Sequence, residues 1–165
     1  MEQRLDLSLN EDDMTIDEAE ALWALKIITS DELPKIALDI LEDGMDTPEI
    51  RLLAGLTKAD IDDAASLFEK VLEKMNRPKI SLEQALGKYI VFISKKIINK
   101  ELSPFDGAYK IWDASLNVPS LNDPMNSNHD ADPFIYCASE YQERPEDRKL
   151  FDEAIIKSAK IWATK

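Results

Sequence analysis

The sequence predicts an all-α protein, a single compact but irregular bundle of about eight helices around a central apolar helix at residues 81–100. Three observations predict it. The stretch Ser81 to Lys100 keeps a helical period: Leu82, Leu86, Tyr89, Ile93 and Ile97 share one stripe, and Ala85, Ile90 and Phe92 widen it. Serine, threonine or aspartate repeatedly stands one residue before a proline, or three before an acid or amide, which is how helices begin. Only Leu5, Leu7 and Leu9 alternate like a short strand, and no second strand candidate exists to pair with them. Tyr89-Ile90-Val91-Phe92-Ile93 alone favours a strand, but its flanks continue the helical period well past the roughly ten residues that strands reach.

In order along the chain, residues 1–14 read as a polar arm and 15–165 as one helical domain. Thr15 with Glu18 opens the first helix, whose stripe is Ile16, Ala19, Leu22, Trp23 and Ile27. Ser30-Asp31-Glu32 opens the second, with Pro34 inside its first turn, Ile36, Ile40 and Leu41 inward, and Gly44 as its C-terminal cap. Thr47 caps a short third helix with Pro48 in its first position, ending at Gly55. The fourth is expected from about Lys58 to Met75, started by Thr57 and Asp60, with Ile61, Ala64, Ala65, Phe68, Val71 and Leu72 on its apolar face. After the central helix, Ser103-Pro104 starts a sixth helix carrying Phe105, Ala108, Tyr109, Ile111 and Trp112. A long loop from Asn117 to Asp132 follows, then a helix from Asp132-Pro133 to Tyr141, and a last one from about Glu146 to Ala163.

Charge bounds the function more than composition does. Of the net −13, residues 1–73 hold 20 Asp and Glu against 6 Lys and Arg, and residues 74–165 hold 13 against 14. Nucleic acid is excluded as the expected partner, because phosphate binding needs a basic footprint. A basic protein is the complement of such a surface, and a carboxylate halo that only keeps the domain soluble is the plain alternative. No stretch approaches the roughly 18 apolar residues of a membrane span, so no membrane partner is expected. The N-terminal residues lack the basic and apolar regions of a secretory signal, and a lone cysteine, Cys137, suits a reducing compartment. A cytoplasmic protein is the expectation.

Chemistry finds little to work with. One His and one Cys make a metal centre improbable by count. Calcium-loop patterns at Asp39–Gly44 and Asn126–Asp132 both fail at positions that require oxygen ligands. His129 with Cys137 is the one conceivable nucleophile and base pair, but Cys137 lies in the apolar run Phe134-Ile135-Tyr136-Cys137-Ala138, the setting of a buried structural thiol. Four scattered glycines, Gly44, Gly55, Gly87 and Gly107, make no phosphate cradle. No catalytic residue, cofactor or metal is expected. The segment Ala138 to Arg148 reads as a tight helix–helix connection, with Arg144 or Arg148 bonding carboxylates or free carbonyls.

Asp43-Gly44-Met45-Asp46-Thr47-Pro48-Glu49-Ile50-Arg51-Leu52-Leu53-Ala54-Gly55-Leu56 resembles a DG-x-DSP-x-LR-x-LAGL segment of many small helical bacterial proteins. Glu101 to Ala108 and Ala138 to Pro145 resemble their later segments, in the same order. Some of those proteins resemble immunity proteins paired with polymorphic or contact-dependent inhibition toxins. The resemblance implies an immunity role, and it assigns no site residue.

Charge and resemblance lead to one expectation: an immunity protein that occludes a basic toxin, a nuclease domain first among the targets, with acids of the second to fourth helices. The candidate partner-binding residues are Glu42, Asp43, Asp46, Glu49, Asp60, Asp62 and Asp63, with Asp60 open to a reading as a cap alone. The alternatives are a helical adaptor for another protein, or a small hydrolase using His129.

Overall fold

Caps and prolines set where the helices begin. A computed structural model describes residues 14–122 and 131–165, and among these it holds eight α-helices and no strand. They are α1 (Ile16–Ala24), α2 (Leu33–Glu42), α3 (Pro48–Ala54), α4 (Ala64–Lys74), α5 (Leu82–Ile98), α6 (Pro104–Ser115), α7 (Asp132–Tyr141) and α8 (Arg148–Ala163). The all-α expectation is met. The polar arm, apart from Met14, lies outside the described residues, as does His129.

Reciprocal capping boxes start α1 and α5: Thr15 accepts from the Glu18 amide at 3.3 Å, and Ser81 from the Gln84 amide at 3.0 Å. Thr47 and Ser103 cap α3 and α6 without the reciprocal bond, each accepting from the amide three residues on and each followed by a proline in the first helical position. Two starts differ from expectation. Lys58–Asp63 forms a six-residue 3₁₀ turn, so α4 begins only at Ala64. Thr29, not Ser30, is the residue whose amide donates to the Glu32 carboxylate, at 2.7 Å, ahead of a 3₁₀ turn at Ser30–Glu32.

Helix ends are closed by left-handed residues. Gly44 does this for α2 with φ 103, as its sequence position implies. Lys26, Asn76 and Lys100 do it for α1, α4 and α5 with φ 61, 55 and 65, where glycine would avoid a Cβ clash. At Lys26 the chain leaves α1 through paired bonds, Lys26 to the Trp23 carbonyl and Ile27 to that of Leu22. The turn carries Ile27 off the helix stripe, which leaves it 36 % exposed.

By internal packing the chain divides into two compact units, Met1–Lys79 and Ile80–Lys165. In the first, α2, α3 and α4 pack together in sequence, and the Ser30–Glu32 turn packs on the Lys58–Asp63 turn. Trp23 of α1 meets Phe68 of α4 edge to face at 5.7 Å, and its indole N–H donates to Glu69 at 2.8 Å. Arg77 reaches back to α1, bonding Asp17 and, at 3.0 Å, the buried Glu20.

In the second unit α5 packs on α6, α6 on α7, α7 on α8, and α8 returns to α5 along its length. Seven residues of α5 are buried, including Ala85, Leu86, Tyr89, Ile90, Ile93 and Ile97 of the predicted stripe, while Leu82 and Phe92 are only half-buried. Gly107 lets α6 lie close against α5: a Cβ there would collide with the Ile97 side chain. Among the described residues no helix is long and apolar enough to cross a membrane.

Candidate functional site

The seven acids selected from the sequence all lie in the first unit, but the fold separates them into two groups. Glu42 ends α2, Asp43 and Asp46 lie in its link to α3, and Glu49 opens α3. Asp60, Asp62 and Asp63 lie in the turn before α4, which packs on Ser30–Glu32 at the opposite end of α2. A helix of ten residues puts roughly 15 Å between those ends. Packing also adds Asp31 to the second group, a tertiary neighbour that no local spacing in the sequence announces.

Several of the seven have structural duties. Arg51 holds Asp46 through two parallel bonds of 2.6 Å, and this bond keeps the Asp46 carboxyl below the ordinary carboxylate range. Lys74 pairs with Glu49 at 2.5 Å and lowers its carboxyl likewise, while the other Glu49 oxygen is buried without a hydrogen bond. Asp60 accepts from the Thr57 hydroxyl at 3.1 Å, a side-chain bond that caps no backbone amide, so the reading of Asp60 as a cap is not met. Asp62 and Asp63 are exposed and stand just before the amino end of α4, where the helix dipole favours a negative charge.

Glu42 and Asp43 are different. Both are exposed, and neither makes an ion pair or side-chain hydrogen bond with a described residue. They occupy the carboxyl end of α2, whose last turn holds no basic residue. The dipole is negative there, so each carboxylate costs about 0.3–1 kcal/mol where a cation would stabilise by as much. No local structural purpose accounts for them.

Elsewhere the chemistry is quiet. Cys137 is buried on α7, and burial pushes its thiol above the ordinary range, as suits a packing residue. Among the described residues no group of three or more His, Cys, Asp or Glu is placed to hold a metal ion. At the connection between α7 and α8, Arg148 donates to the Tyr141 carbonyl at 2.9 Å and lies over its ring at 5.0 Å. Arg144 bonds Asp147 and lies over Phe151. Both arginines do the connecting work that the sequence implied.

Comparison with protein-family models, with curated proteins and with solved structures found no match.

Proposed function

We propose that this protein is an immunity protein: it binds a basic bacterial toxin, with a nuclease domain as the favoured target, and blocks its active-site cleft in the cytoplasm without catalysis. The observation that carries the reading is the pair Glu42 and Asp43, exposed and without a cation at the wrong end of a helix. A basic partner removes that penalty when it docks. Lys and Arg side chains that would otherwise hold nucleic acid phosphates fit the same need.

The wider charge distribution supports the same reading. The unit Met1–Lys79 holds 20 acids against 9 bases, and Ile80–Lys165 holds 13 against 11. Complementary fields raise association rates from about 10⁵–10⁶ to as much as 10⁸–10⁹ M⁻¹s⁻¹ at low salt. Fast capture suits an inhibitor that must find its target before damage is done.

The test is stopped-flow association with the product of the gene directly upstream, where the toxin of such a pair is expected. Reversing both Glu42 and Asp43 to Lys should slow association at least tenfold and flatten its salt dependence. Reversing Asp62 and Asp63 instead should cost less. Unchanged kinetics in the first variant would remove this corner from the interface, and no complex at micromolar concentration would overturn the immunity reading.

A further inference from the structure

The second unit contains a half-open cavity of about 580 Å³. Its apolar wall comes from the end of α5 (Ile98), the link into α6 (Leu102, Pro104) and the outer part of α8 (Ile156), and its charged groups are Lys100 and Lys160. Among the described residues neither lysine has a carboxylate partner. The acid beside Lys100 in sequence, Glu101, is engaged by Lys96 at 3.6 Å and by Asn99 at 3.5 Å. In a chain with 33 acids and 20 bases, two unpaired cations on one apolar hollow are a distinct arrangement.

We infer that this cavity binds a linear aliphatic carboxylate, its chain against Ile98, Leu102, Pro104 and Ile156 and its anionic head on Lys100 and Lys160. The volume falls within the roughly 300–1,000 Å³ of small-molecule sites, which join an apolar lining to a few polar groups. Lysine supplies a compact point charge suited to one carboxylate, whereas bidentate recognition of phosphate favours the planar fork of arginine. The helix dipole accounts for a lysine at the carboxyl ends of α5 and α8. It does not account for the apolar hollow that both line. Lys100 also holds a left-handed backbone at φ 65, where glycine would sit more easily.

Calorimetric titration of the full chain with hexanoate, octanoate and decanoate, kept below micelle formation, tests this. Burial of the chain predicts an affinity gain of about fourfold per methylene. Decanol should bind at least tenfold more weakly than decanoate, and K100Q with K160Q should lower decanoate affinity at least tenfold. Both side chains are exposed, so the double variant should keep the wild-type melting temperature. No heat with millimolar decanoate, an affinity that ignores chain length, or a double variant that binds like wild type would each overturn the assignment. So would co-sedimentation with phosphatidylglycerol vesicles without any titration by decanoate, since the lysines would then serve a membrane surface. None of these outcomes bears on Glu42 and Asp43, so the two proposals fail separately.

Discussion

In the second unit, Arg144 takes Asp147 and lies over the Phe151 ring, and Arg148 closes α7 by donating to the Tyr141 carbonyl. In the first unit, Glu42 and Asp43 stand at the end of α2 with no cation near them in the last turn. One region satisfies its charges internally; the other keeps charges that its own helix disfavours. The contrast separates carboxylates that build the fold from carboxylates that are free to do something else. Arg51 with Asp46 and Lys74 with Glu49 show that the first unit also builds ion pairs where geometry offers them. Glu42 and Asp43 are therefore not simply the consequence of an acid-rich composition.

The comparison can be broken or sharpened by substitution. The largest effect is expected at Arg77, which bonds both Asp17 and Glu20, the latter only 4 % exposed. Arg77→Ala should cost about 2–3 kcal/mol in urea unfolding, less than breaking a fully buried pair because Arg77 itself is 31 % exposed. A loss below about 1 kcal/mol would show that the Arg77 contacts add little to the fold. In the second unit, Gly107→Ala drives a Cβ into Ile97 and should cost about 2 kcal/mol. A Gly107→Ala, Ile97→Ala double variant that loses less stability than the sum of its two single variants would confirm the contact.

A smaller effect comes from Tyr89 on α5. Burial, with the Asp113 charge second, pushes its hydroxyl from 10.0 up to about 12. A raised folded value gives stability that is fully present below pH 10 and lost as pH climbs from 10 through about 12. At pH 11 the loss is about 1 kcal/mol, and Tyr89→Phe should remove that slope from a pH series of unfolding curves. The smallest effect has the opposite sign. Glu42→Gln with Asp43→Asn should raise stability by about 0.6 kcal/mol, the lower bound for a helix end that loses two disfavoured, exposed charges. A variant that is more stable yet binds the partner more slowly would mark the pair as functional. One that is less stable would return both to a structural role.

Much of the fold is legible in the sequence because helix starts are local chemistry. Thr15 with Glu18, Ser81 with Gln84, and the threonine–proline and serine–proline pairs before α3 and α6 are read within four residues. Helix ends are less legible. Lysine at positions 26 and 100 gives no sign of the left-handed backbone it adopts, and Ile27 was assigned to a stripe it never joins. The Lys58–Asp63 turn has the composition of a helix start, and nothing local announces its 3₁₀ form or its packing against Ser30–Glu32.

The candidate surface was legible as composition but not as arrangement. Nothing local shows that Lys74, 25 residues away, occupies Glu49, or that α2 holds the two acid groups at opposite ends. The pairing of Asp46 with Arg51 was within reach, since five residues separate them across a capped turn.

The charge left at the end of α2 reaches into the helix itself. Gly44 already closes the last carbonyls, so a guanidinium or ammonium delivered there from another molecule would offset the two carboxylates and the negative end of the dipole together. Docking would then slow amide exchange in the last turn, at Ile40 and Leu41, although both lie on the free molecule's own helix. The helix would report its visitor through its own backbone.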